Sequence, residues 1–273
     1  MSLLPASLKR QAQFKAYRLR APVDSRRFRS ALAVDAEGPA IILSPHFDDA
    51  VLDCWSVLSR GGRAEVVNVF AGIPSGPAIP SWDRICGATD IARHVRDRIR
   101  EDAEALAAVG VKPVNLPFLS QDHRDGPPPL QSTLARAIAS SAPTARRLYA
   151  PAMVGEPHPD HLLVRALALA LCRRGVPTTL YADLPYAVAF GWPHWVTGEA
   201  KNPRLDVDVF WNRFLEPVRE LAGAPPRVVE LSADEAAVKL GALRKYETQF
   251  AGLDANGLFT SRSIHTFEVF WDL

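Results

Sequence analysis

The run Ala40-Ile41-Ile42-Leu43 is apolar at every position, with no alternation between faces. A strand written this way is buried on both sides, which places it inside a parallel sheet with helices over each face. The segments that follow repeat the theme. Residues 48–58 read as a helix with carboxylates in its first turn, where the positive end of the helix dipole favours them, and Gly61-Gly62 ends it. A β-branched strand at 64–70 leads into a Gly- and Pro-rich loop at 71–83. A helix is predicted over 88–109, with Ile91, Val95, Ile99, Leu106 and Val109 at helical spacing and Gly110 as its stop.

The alternation continues with a strand at 111–118, a polar loop at 121–129, a helix at 130–141 and a strand at 148–150. A buried helix at 161–172 and a strand at 178–182 complete the regular part. Beyond it the pattern loosens. Residues 189–203, with Trp192, His194 and Trp195, read as an ordered aromatic loop, and 228–231 as a short strand. Ser232-x-x-Glu235 is a capping box opening a helix to about residue 249, and 267–271 is a terminal strand. Four or more strand-then-helix units predict an α/β fold of three layers with a mainly parallel sheet. Residues 39–273 are read as a single domain. Residues 1–38 are read as an N-terminal appendage, with a short helix at 11–19 and Arg18, Arg20, Arg26, Arg27 and Arg29 forming a solvated basic stretch.

Several function classes are disfavoured. A net charge of +2 over 273 residues makes no case for nucleic acid. The N-terminus lacks a charged region followed by an apolar one, and no apolar stretch approaches the ~18 residues of a spanning helix, so a soluble, cytoplasmic protein with no membrane span is expected. The three cysteines are widely spaced, without a C-x-x-C pair, which argues against both a disulfide framework and a structural zinc site. No G-x-G-x-x-G follows the first strand, so a nicotinamide cofactor is disfavoured.

Two short motifs remain. Ser44-Pro45-His46-Phe47-Asp48-Asp49 follows the first strand, and His158-Pro159-Asp160-His161 opens the buried helix. Loops at the carboxyl ends of parallel strands form the ligand crevice of such sheets, and both motifs fall there. His46, Asp49 and His161 would supply two imidazoles and a carboxylate to a metal, leaving positions open as a catalytic zinc site does; ferrous iron accepts the same set. Asp48, beside a ligand but directed elsewhere, is the candidate base for the attacking water. Protonated His158 would stabilise an oxyanion or deliver a proton to a leaving amine, and Asp160 would orient His158. These parts describe a metal-assisted hydrolase.

The two motifs resemble the signatures of the PIG-L (LmbE-like) N-deacetylases. Weaker matches lie at Asp83-Arg84-Ile85-Cys86-Gly87, Glu101-Asp102, Asp183-Leu184-Pro185-Tyr186, residues 239–249 and Glu268-Val269-Phe270-Trp271. The resemblance implies a Rossmann-like fold and a zinc-dependent amide hydrolase. It implies zinc on His46, Asp49 and His161, Asp48 as general base, and His158 with Asp160 assisting the transition state. Phe47 and Ala50 stand where the commonest form of the signature has Pro and Glu, and Asp53-Cys54-Trp55 is bulkier than usual. The expected substrate is a small N-acetylated molecule, an amino sugar or related amide, in natural-product biosynthesis. Two alternatives are an accessory binding protein, its entrance altered around Phe47 and Trp55, and an amidase acting on a non-acetyl amide. Arg98 and His94 are read as solvated helix residues. The loops 71–83, 121–129 and 189–203 are expected to flank the crevice and set specificity.

Overall fold

The structure, a computed structural model, describes residues 32–216, 218, 225–254, 257 and 260–273. The predicted helix at 11–19 and the basic stretch from Arg18 to Arg29 lie outside the described residues. The strands are β1 (Ala33–Val34), β2 (Ala40–Ser44), β3 (Ala64–Asn68), β4 (Val114–Asn115), β5 (Thr144–Ala145), β6 (Arg147–Pro151), β7 (Thr178–Tyr181), β8 (Arg227–Glu230) and β9 (Phe267–Asp272). The helices are α1 (Asp49–Asp53), α2 (Trp55–Ser59), α3 (Ser81–Ile85), α4 (Ile91–Ala107), α5 (Gln131–Ser141), α6 (Pro159–Cys172), α7 (His194–Thr197), α8 (Val207–Leu215), α9 (Ala233–Leu243) and α10 (Glu247–Leu253). Among the described residues no helix is long and apolar enough to cross a membrane.

Seven strands form one sheet in the order β4-β3-β2-β6-β7-β9-β8. The pairs from β4 to β7 are all parallel, and β9 runs antiparallel to both its neighbours. Every residue of β2 is buried, as its unbroken apolar run requires. Helix α6 packs on β6 and β7 with α5 against it, while α1, α4, α9 and α10 pack on one another. The expected α/β architecture with a mostly parallel sheet is what forms. The end of the predicted N-terminal appendage is tied down: Leu32 is buried, and β1 pairs in parallel with β5 in a small separate sheet.

The element boundaries differ from expectation where a local feature overrides periodicity. The strand predicted at 111–118 shrinks to the two residues of β4, because Pro113 and Pro117 cannot donate to a ladder. The helix predicted at 48–58 breaks at Cys54, since the Glu268 carboxylate of β9 caps a new start there. Glu268 accepts from the backbone N–H of Trp55 at 2.7 Å, from that of Ser56 at 3.0 Å and from the Ser56 hydroxyl, and receives Lys239 Nζ at 3.0 Å, all of it buried. The capping box of Ser232 and Glu235 forms as predicted. Its helix then divides into α9 and α10, and the joint carries Tyr246, whose buried hydroxyl donates to Phe47 O at 3.0 Å and approaches Asp102 Oδ1 at 2.7 Å. Helix α7 and the start of α3 occupy stretches expected to be loops, and α8 lies where no element was predicted.

Candidate metal centre and its cavity

Adjacent parallel strands bring the two motifs together. β2 lies beside β6, so the turn after β2 faces the loop that enters α6. The first turn is held from within: the Ser44 hydroxyl donates to His46 O and accepts from Ala50 N–H, and His46 N–H donates to Asp49 Oδ2 at 2.7 Å. In the second motif His158 is the N-cap of α6, its Nδ1 accepting from Asp160 N–H at 3.3 Å, with Pro159 at the first helical position, where a missing N–H costs nothing.

Two imidazole nitrogens converge. His46 Nδ1 and His161 Nε2 stand 3.3 Å apart. The Asp49 carboxylate completes the group, with Oδ1 at 3.6 Å from His161 Nε2 and Oδ2 at 3.7 Å from His46 Nδ1. The far nitrogen of each ring is taken by a carboxylate: His46 Nε2 donates to Asp160 Oδ2 at 3.3 Å, and His161 Nδ1 to Asp183 Oδ1 at 2.7 Å. Each donation leaves a lone pair on the converging nitrogen, the tautomer a metal ligand needs. Donors bound at about 2.0–2.1 Å around a tetrahedral ion sit roughly 3.3 Å apart, which the three-residue set approaches. A looser group of His46, His158 and His161 has its ligand atoms within 4.8 Å of one another.

Electrostatics follow from this crowding of charge. Burial alone would depress the His161 imidazole, but Asp49, Asp183 and Asp160 around it push it up to about 9. Burial raises the Asp49 carboxyl, against the opposing pull of His161 and His46. Burial works to raise Asp160 as well, yet His46, Arg124 and His158 together hold it well below the usual carboxylate range.

The structure sets the predicted residues as follows. His46, Asp49 and His161 meet. Asp48 is buried, makes no capping bond to α1, and lines the same cavity. His158 stands against His46 with ring centroids 4.8 Å apart and roughly perpendicular planes. The Asp160 side chain hydrogen-bonds His46, Gln121 N–H at 2.8 Å and Arg124 Nη2 at 2.8 Å, and Asp160 meets His158 through its backbone N–H and through the charge that helps to hold its carboxyl low. His158 Nε2 lies 3.3 Å from the Gln121 amide. Turning that amide over places Gln121 Oε1, which is buried and has no hydrogen-bond partner among the described residues, on the imidazole N–H.

Other expectations are corrected. Arg98 is 9% exposed and reaches the cavity, its guanidinium 5.3 Å over the Phe47 ring and its Nε without a hydrogen-bond partner among the described residues. His94 is also buried, facing Asp83, which bonds His123 on its other oxygen at 3.0 Å. Phe47 and Trp55 belong to the core and not to the entrance, so the bulkier sequence around them does not close the site. Trp192 is buried beside Trp211, as the reading of an ordered aromatic loop implies. Asp183, which orients His161, lies in the weakly matching Asp183-Leu184-Pro185-Tyr186 segment, whereas Gln121 and Arg124, which hold His158 and Asp160, carry no motif of their own.

The cavity over these groups measures about 1020 Å3. All three loops expected to flank the crevice reach it, through Trp82 and Asp83, Asp122 and His123, and Ala189 and Phe190.

No family model matches the chain. The 2'-N-acetylparomamine deacetylase of Streptomyces fradiae is 32% identical over 167 residues, which cover 55% of this chain and 58% of that protein. The chain thus matches somewhat over half the length of this curated relative. A deacetylase triple mutant involved in the teicoplanin biosynthetic pathway superposes with a TM-score of 0.63 at 26% identity, over 86% of this chain and 97% of that one. Teicoplanin deacetylase in a zinc-inhibited form gives 0.62 at 25% identity over the same shares. The resemblance to the PIG-L (LmbE-like) deacetylases drawn from the two motifs is borne out by these relatives, each named as a deacetylase.

Proposed function

We propose that this chain, similar to the LmbE-like (PIG-L) deacetylases in motifs and in fold, is a zinc-dependent N-deacetylase that removes the acetyl group from an amino sugar or related small molecule in a biosynthetic pathway. The observation that carries this reading is the convergence of His46 Nδ1, His161 Nε2 and the Asp49 carboxylate, with the outer nitrogen of each ring donating to a carboxylate. Asp49, Asp183 and Asp160 around His161 push its imidazole up to about 9, so the pocket favours positive charge. The catalytic unit we assign to residues 39–273.

His46, Asp49 and His161 would hold the ion. A zinc ion there supplies a Lewis acid and brings the pKa of a bound water toward ~7. Asp48, on the cavity wall beside them, takes the proton of the attacking water. His158 presents its Nε2 edge toward Gln121 and, with its Nδ1 taken by the Asp160 N–H, hydrogen-bonds the developing oxyanion from its Nε2–H, while the proton that Asp48 took from the water passes on to the departing amine. Asp160 orients His46, and Asp183 orients His161. The buried Arg98 guanidinium, with donors to spare, is suited to substrate hydroxyls.

The test is acetate release from a panel of N-acetylated amino sugars by the zinc-loaded protein, with metal content measured by mass spectrometry. Release that stops with chelator and returns with zinc is the expected result. No acetate from any member of the panel, with a full complement of metal, would remove the deacetylase reading.

A further inference from the structure

The cavity is larger than an acetamido sugar requires, and one part of its wall is apolar. At about 1020 Å3 it reaches the top of the range of about 300–1,000 Å3 that encloses a whole drug-sized ligand. Beyond the charged groups around the metal centre it is lined by Trp82, Phe190, Phe214, Leu253 and Pro185.

Trp82 is unusual among these. Its indole N–H donates to Gln249 Oε1 at 2.9 Å, and Gln249 is itself buried and anchored to Thr248 O at 3.2 Å. The ring lies flush on Gly252, where an added Cβ would come within 2.8 Å of Cη2 and 2.9 Å of Cζ2. The side chain is therefore fixed at both ends, yet it remains 36% exposed and lines the cavity. A tryptophan held only for packing would bury its faces; one held rigid and open offers a preformed stacking surface. Phe190 is also exposed at 45%, stacked on Phe210 with centroids 4.1 Å apart, and Phe214 follows one turn later on α8. These rings continue the apolar surface.

We propose that Trp82 is the platform of a second subsite, which takes a flat aromatic aglycone attached to the amino sugar whose acetamide lies at the metal centre. The assignment rests on the deacetylase reading for the sugar half, but the stacking half is measurable by binding alone. Calorimetric titration compares 4-nitrophenyl and methyl glycosides of glucosamine, which lack the scissile acetyl group, on the zinc-loaded wild type, Trp82→Ala and Trp82→Phe. The wild type should bind the aryl glycoside at least about tenfold more tightly than the methyl one. Trp82→Ala should erase that advantage and leave the methyl glycoside unchanged, and Trp82→Phe should keep most of it, which separates lost stacking from a damaged fold. An aryl glycoside bound no better than the methyl one by the wild type, absence of binding to both included, would overturn the subsite. So would an alanine variant that weakens both ligands equally. Turnover of the two N-acetylated glycosides by the wild type, run in parallel, reads the deacetylase assignment separately: no acetate with a strong aryl preference rejects the activity and retains the platform.

Discussion

The Asp160 carboxylate fixes the His46 ring: its Oδ2 receives His46 Nε2 at 3.3 Å, on the opposite side of the ring from the nitrogen that meets His161. The carboxylate, pinned in turn by Arg124 and the Gln121 N–H, sets which nitrogen of His46 is free to bind a cation. Asp160→Asn should therefore weaken zinc binding by about 10–100-fold, the usual cost of losing such a partner. Competition against a chromophoric chelator measures it, and unchanged affinity would show that the contact does not govern the ligand.

Asp48→Asn should separate binding from turnover. Asp48 lines the cavity and is not among the three residues assigned to the ion, so the variant should retain its zinc while acetate release falls at least ~100-fold. Activity within a fewfold of wild type would take the base role away from Asp48.

Zinc affinity should climb with pH. His161 holds a proton up to about pH 9 in the absence of metal and must release it to become a ligand. Below that value the apparent dissociation constant should fall about tenfold per pH unit, from pH 6 to pH 8. The same proton works the other way on the metal-free fold. Because the folded value lies above the ordinary ~6.5, its contribution to stability is complete below pH 6.5 and is lost as pH rises through 9. A flat zinc affinity across this window would contradict the proton-filled site.

The Lys239–Glu268 pair is wholly buried, with Nζ 3.0 Å from Oε1. Removing one member leaves an uncompensated charge, and Lys239→Met should cost about 3 kcal/mol in urea unfolding. A loss below ~1 kcal/mol would mean that the three donors at Trp55 and Ser56 already satisfy Glu268 without the lysine.

What could be read from the sequence follows the range of the interactions. His46, Asp48 and Asp49 lie within one turn, and His158 and His161 within another, so short spacing at a strand end is enough to mark them as candidates. Asp183 reaches His161 across 22 residues, and Arg124 reaches Asp160 across 36. Those pairings depend on β6 lying between β2 and β7, an order that hydrophobic periodicity does not encode. The misreading of Arg98 and His94 has a related cause. A charge at a helical position reads as solvent-facing unless the partner is known, and on α4 the inward face carries His94, Arg98, Glu101 and Asp102, each aimed at a polar group on another element or at the cavity. Phe47, a departure from the commonest signature, proves to be the surface on which Arg98 rests.

The place of β9 has a consequence for synthesis. Residues 267–272 are the last of the sheet to be made, yet they sit inside it, between β7 and β8, and carry the carboxylate that starts α2 just after the first motif. Strands β2, β3, β6 and β7 can associate while the chain is growing, but the start of α2 waits for Glu268. Until β9 is in place the growing chain carries an open sheet edge along β7, the kind of edge that invites pairing with another chain.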